Sequence, residues 1–136
     1  MLTVRITRDR LGELSELMHE NASKAVRATA FNIVLDAQSY APVDTGAMKN
    51  SIYVVTDDES SYADASSDAR VLNEIEILPE MDAPKDDLTA IVAVGAEYGL
   101  YVEMGTVRTS AQPYLEPAAE LSREAFEQAM KGILGR

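Results

Sequence analysis

From Leu11 to Tyr40 the apolar side chains return at a spacing that suits a helix and no other regular backbone. Leu11, Leu14, Met18, Ala22, Ala25, Thr29, Ile33 and Tyr40 fall along one face, and Leu17, Val26, Val34 and Ala37 widen it. At about 1.5 Å per residue, such a helix is a rod of about 45 Å. That is longer than a domain of 136 residues needs to cover its own sheet. Thr7 or Asp9 can cap its start, with Glu13 in the first turns. Pro42 ends it, because the residue before a proline is pushed out of the α region. Upstream, Thr3 to Ile6 reads as a short edge strand or a lead-in.

Beyond the rod, the chain alternates between turn chemistry and strand chemistry. Asp44-Thr45-Gly46 reads as a turn, in which Asp accepts local N–H bonds and Gly admits positive φ. Ala47 to Asn50 adds a helical turn, and β-branched and aromatic Ser51 to Thr56 is a strand. Asp57 to Asp68 offers little to bury and reads as a solvated loop or hairpin tip. Asn73-Glu74-Ile75-Glu76-Ile77 alternates with period two, so 71–78 reads as a half-exposed strand, followed by a second acidic loop from Pro79 to Asp87. Leu88 to Gly95 is apolar on both faces, as a central buried strand is. Tyr98, Tyr101 and Val102 share a helical face before Gly105 stops the helix.

Val107 to Gln112 is a polar loop. Pro117 suits the first position of a last helix, whose expected buried face is Ala118, Leu121, Ala125, Phe126, Ala129, Met130 and Ile133. The chain is therefore expected to be one α+β domain spanning residues 1–136. Its long N-terminal helix and its C-terminal helix should pack on one face of an antiparallel sheet of 51–56, 71–78 and 88–95, with an extended acidic hairpin at about 57–87.

Charge and chemistry narrow the functions. Twelve Lys and Arg stand against twenty-three Asp and Glu, a formal charge of −11 that repels nucleic acid. There is no cysteine for a disulfide or a thiolate zinc site, and a single histidine removes most metalloenzyme and Ser-His arrangements. The N-terminus carries no secretory pattern, since Arg5, Arg8 and Asp9 interrupt any apolar run, and no stretch approaches the roughly 18 apolar residues of a membrane span. These features suit a protein of the cytoplasm or of a particle assembled there.

Five features bear on chemistry. Asp44-Thr45-Gly46 matches the triplet of aspartic proteases, which need two carboxylates sharing a proton and hence a dimer of a chain with one triplet; those proteins are nearly all β, whereas here the triplet follows a long helix, so a structural turn is the expectation. Asp57-Asp58-Glu59 and Asp86-Asp87 lack the glycine of a calcium loop and read as solvated surface. His19 has no second His at i+4 and reads as solvent-facing. Tyr98, Tyr101 and Tyr114, without accompanying cations, read as packing rather than a base-stacking platform. Glu103, between Val102 and Met104, needs a partner to offset desolvation; Arg108 or the backbone amides of Gly105-Thr106 are the expected ones.

Three short motifs in order carry a resemblance. Ala41-Pro42-Val43-Asp44-Thr45-Gly46 is followed by Ser51-Ile52, then Tyr98-Gly99-Leu100-Tyr101-Val102-Glu103-Met104-Gly105-Thr106, then Gln112-Pro113-Tyr114-Leu115-Glu116-Pro117-Ala118. This ordered set resembles the small neck or tail-component family of long-tailed bacteriophages. Pro42, Asp44, Thr45, Gly46, Tyr98, Tyr101, Glu103, Gly105, Thr106 and Pro113 are its structural residues here. Gly99 stands where the resemblance suggests Ala, a mild departure, and the segment from Thr56 to Leu88 is long and unusually acidic.

The resemblance implies a virion or prophage morphogenesis protein without catalysis or cofactor, forming a homo-oligomeric ring at the head–tail junction or upper tail. Its partners would be itself and neighbouring neck, portal-side or tail proteins, with DNA only a passing cargo. In such a ring Asp57, Asp58, Glu59, Glu74, Glu76, Asp86 and Asp87 would line a lumen, or equally form an acidic outer wall serving solubility. The alternatives are an aspartic-type hydrolase using Asp44 in a homodimer, and a soluble adaptor with no particle.

Overall fold

The computed structural model describes residues 2–7, 16–42, 46–72 and 75–135. Its elements run β1 (Thr3–Thr7), α1 (Glu16–Tyr40), α2 (Gly46–Asn50), β2 (Ile52–Val55), α3 (Tyr62–Leu72), β3 (Thr89–Val94), α4 (Gly99–Met104) and α5 (Leu115–Ile133). The fold is α+β, as the sequence implies. The three strands form one antiparallel sheet in the order β1-β3-β2. β3 is its centre, and every residue of it is buried.

The parity of β3 separates two cores. Ala90, Val92 and Val94 join Ile6, Ile52 and Val54 against Val26, Ala30, Ile33 and Ala37 of α1 and Leu115 and Ala118 of α5. The opposite face presents Ile91, Ala93, Tyr53 and Val55 to Ala65 of α3 and to Met81. A sheet covered on both sides explains why neither β2 nor β3 shows the apolar–polar alternation of a half-exposed strand. Tyr53 and Tyr62 meet edge to face at 5.0 Å between ring centroids. The Tyr62 hydroxyl donates to the Leu78 carbonyl, and Tyr53 Oη accepts the Met81 N–H, so α3 and the segment after it are stitched to β2.

Several expectations need correction. Among the described residues of 71–78 the expected strand is not there: α3 extends to Leu72, and Ile77 makes one isolated bridge to Ala96. Its place at the sheet's second edge is taken by β1, the segment read as edge strand or lead-in. The loop expected at 57–68 turns helical at Tyr62, so the acidic segment holds a helix rather than two hairpin strands. α3 is hard to read because its buried positions among residues 62–70 are the small Ala65, Ser66 and Ala69, of which Ala65 packs with Tyr53, and they make no stripe of large apolar residues.

α1 and α5 pack along each other on one sheet face, as expected. Leu17 and Tyr40, placed on the buried face of α1 by their spacing, are exposed. The α1 positions Leu11 and Leu14, with Asp9 and Glu13, lie outside the described residues. α5 begins at Leu115, which puts Pro117 third, still in the turn whose N–H groups have no intrahelical partner. Its buried residues are Leu115, Ala118, Ser122 and Met130, whereas Leu121, Ala125 and Ala129 face outward. Ser122, small enough to approach α1, occupies the line that Leu121 was expected to hold.

Candidate interaction site

The three motifs converge at one pole of the molecule, where α1 ends, β3 ends and α5 begins. Ser51 organises the first junction. Its hydroxyl donates to the Met48 carbonyl (2.6 Å) and accepts the Ala96 N–H (3.0 Å), while its carbonyl accepts the Gly95 N–H (2.9 Å). The start of β2 is thus fixed to the end of β3.

From there the chain turns directly into α4, and Gly99 is the close approach that permits it. A methyl group at that position would sit 2.7 Å from Val94 Cγ1 and 2.9 Å from the Tyr114 hydroxyl. The Ala that the resemblance suggests at Gly99 would therefore have to displace Val94 or Tyr114 in this chain. The Tyr114 hydroxyl uses the space to donate to the Gly99 carbonyl (2.9 Å). Burial, with the neighbouring Glu103 carboxylate adding to it, pushes the Tyr114 phenol well above its ordinary value. At the other end of α4, Gly105 adopts φ of 79°, and a side chain there would run into the Ala111 backbone.

Glu103 is the buried carboxylate of the pole. Its Oε1 accepts the N–H groups of Tyr114 (2.9 Å) and Leu115 (2.8 Å), and its Oε2 accepts that of Glu116 (3.1 Å). These are the orphan amides at the start of α5, so a side chain eleven residues upstream caps that helix. The expected partners were of the right kind but in the wrong place: backbone amides hold the carboxylate, yet those of α5, not of Gly105-Thr106, and Arg108 makes no ion pair among the described residues. The N-cap residue Tyr114 supplies no side-chain cap of its own.

Pro42, Tyr98, Tyr101, Val102, Thr106 and Gln112 line a shallow groove of about 240 Å³ beside this clasp. One residue of the first motif, four of the second and one of the third thus share one surface. Among the described residues lining it there is no carboxylate, imidazole or ammonium group. Pro113 leads into the capped start of α5, and Gly46 opens α2. Asp44 and Thr45 lie outside the described residues; the elements flanking them are helices α1 and α2, not strands.

Several residues of the acidic segment have local partners elsewhere in the molecule. Arg27 of α1 lies 3.0 Å from both Asp57 and Asp58 and 3.7 Å from Glu59. The Thr56 hydroxyl, and then the Arg27 guanidinium, hold the Asp58 carboxyl below the usual carboxylate range. Asp86 accepts the Leu88 N–H and the Thr89 hydroxyl, bracing the entry to β3. Asp87 meets His19 Nε2 at 2.7 Å, so His19 is held by a partner rather than facing solvent freely. Glu76 gives its carbonyl to the Glu97 N–H, and Glu74 lies outside the described residues. Among the described residues no group of carboxylates and histidines is arranged to hold a metal, and no helix is long and apolar enough to cross a membrane.

The model of a known family, HK97-gp10-like, matches residues 7–105 and carries the description "Bacteriophage HK97-gp10, putative tail-component". The chain belongs to this family. The matched stretch runs from the end of β1 to the glycine that closes α4, so it includes the first motif, the second as far as Gly105, and Glu103. The α5 amides that Glu103 holds lie beyond it. No curated protein and no solved structure matches the chain. HK97-gp10-like proteins are described as phage tail components, which makes this chain a bacteriophage structural protein.

Proposed function

We propose that this HK97-gp10-like chain is a ring-forming subunit of the head–tail neck or of tail completion, assembled in the host cytoplasm and carried in the virion. The observation that carries this reading is the number of large apolar side chains left open to solvent in a chain of net charge −11. Phe31, Leu35, Leu100, Tyr101, Met104, Val107 and Leu121 are all exposed, and Leu100, Tyr101, Met104 and Val107 fall within one short stretch of α4 and the turn after it. They call for protein neighbours, whether further copies of the chain or the portal-side and tail proteins on either side of a ring.

Two uses of the acid fit this role. Turned inward, the acidic segment keeps passing DNA from adhering to the wall; turned outward, it keeps the ring soluble. The Arg27, His19 and Thr89 contacts mean that several of these carboxylates also have structural work, which leaves Asp64, Asp68 and Asp82 as better candidates for a repelling wall. Catalysis has no part in the reading, and neither Asp44 nor the groove is assigned any.

The test is the native mass of the purified protein and its position in particles. A closed oligomer, with labelled protein at the head–tail junction or the tail's upper end and unjoined heads and tails when the protein is withheld, is expected. A monomer at every concentration that is also absent from finished particles would overturn the proposal.

A further inference from the structure

We infer that the ring contact is heterologous: the braced turn after α4 of one copy docks on the outer face of α1 in the next. This rests on the ring reading above and names its surfaces. The turn is unusual in what it presents. Thr106 donates its N–H to the Thr109 carbonyl (2.8 Å), and its hydroxyl accepts the N–H groups of Arg108 (3.2 Å) and Thr109 (3.1 Å). The base is closed by the Gln112 N–H on the Val102 carbonyl (2.8 Å). Such a turn normally carries polar residues at its tip, but here Val107 projects fully into solvent at 106 % relative exposure, and Met104 at the end of α4 is exposed as well. A knob already held in shape loses little freedom on docking.

The second surface lies on another element. Ala28, Phe31 and Leu35 recur at i, i+3 and i+7 along the side of α1 that faces away from the sheet, and all three are exposed. Charge pairs the two surfaces. Arg108, next to the Val107 tip, is exposed and makes no ion pair among the described residues. Asp36, on the shoulder of the stripe beside Leu35, is partly exposed and makes none either. In a chain so acidic, most self-contacts set like charges together; this pairing brings a cation against an anion. The occupant is a second copy of this chain, and because the two surfaces differ, each copy can receive one neighbour and offer itself to another, as a ring demands.

The absence of cysteine gives a direct test. With Val107→Cys and Leu35→Cys in one chain, mild oxidation should yield a ladder of dimers, trimers and larger species on a non-reducing gel, while either substitution alone yields none. Arg108→Asp and Asp36→Arg should each weaken self-association about tenfold or more, and the double exchange should restore it. All four positions are at the surface, and thermal melts matching the parent confirm that the fold is kept. A native oligomer that forms with no ladder in the double variant overturns the inference and leaves the ring reading standing. Dimers from Val107→Cys alone overturn it in favour of a self-complementary contact. A parent protein that never self-associates, alone or on purified tails, overturns both.

Discussion

Glu103 and the Asp57–Glu59 run are both acidic and both partnered, yet they do different things to the molecule. Glu103 is buried and spends its oxygens on three amides at the start of α5. Asp57, Asp58 and Glu59 gather around one arginine at the surface, where water and salt compete for every contact. One carboxylate in the interior therefore ties two helices, while three outside shift local charge. The acidic segment 57–87 holds −9 of the formal −11, from eleven acids against Arg70 and Lys85, but the energetic weight of a charge follows its burial rather than its count.

The sharpest way to break this contrast is Glu103→Ala. It strands three amides in a dry site and should lower stability by about 3 kcal/mol or more, read from denaturant midpoints. Glu103→Gln keeps one acceptor oxygen but turns an NH2 toward an N–H, and about 1–3 kcal/mol is expected. If both variants melt like the parent, the clasp carries no load.

Gly99→Ala comes next, at about 1–3 kcal/mol, because the new methyl group must push Val94 or Tyr114 aside. Trimming Val94 to Ala in the same chain should relieve part of that strain. A double-mutant cycle with no coupling between the two would say that the pole is looser than its distances imply.

The pole should also show itself in alkali. Folding raises the Tyr114 phenol above its ordinary value of 10.0, so the folded state disfavours losing that proton. The associated stability is intact below about pH 10, the ordinary tyrosine range, and declines as pH climbs beyond it. Tyr114→Phe should lower stability by about 1 kcal/mol near neutrality, for the lost bond to the Gly99 carbonyl, and should flatten the alkaline decline. Equal slopes in the two proteins would remove Tyr114 from the account, leaving Tyr53, whose phenol burial also pushes up.

The smallest effect is expected in the acidic region. Arg27→Gln should cost about 1 kcal/mol or less, and the difference should vanish in about 1 M salt, where the Debye length is about 3 Å. A large, salt-insensitive loss would mean that the surface cluster is as structural as the clasp.

Legibility in the sequence divides along the same line. β3 was legible because a strand buried on both faces is apolar at every position, and α4 was legible because Gly105 needs its positive φ. The α+β class and the pairing of α1 with α5 came from helical spacing. α3 was not legible: Ala65, Ser66 and Ala69 are buried by smallness, and Ile75 and Ile77 supplied an alternation that suggested a strand. The outward turn of Leu121 was hidden for a related reason, since hydrophobicity ranks Leu above Ser while close approach to α1 favours Ser122. For Glu103 the sequence showed a carboxylate in need of partners, and nearness along the chain suggested the wrong ones. Helix N-termini leave no mark on amide groups that a one-dimensional reading can see. The groove is legible only in part, since spacing gives no sign that Pro42 and Gln112, seventy positions apart, share a wall.

The closed base of the Thr106–Thr109 turn separates two things that are often entangled. Because Gln112 and Val102 fasten the stem and Glu103 secures the helix beyond it, the tip is a cassette whose contents the folding of the domain does not consult. A few residues inserted after Val107 lengthen a loop that is already tied at its neck, at a cost that grows only with the logarithm of loop length, about 0.6 kcal/mol for each doubling. Such a chain would still fold and yet offer its neighbours a different key. Under the contact proposed above, phage tail components of this kind would change partner compatibility at this tip without rebuilding the fold beneath it.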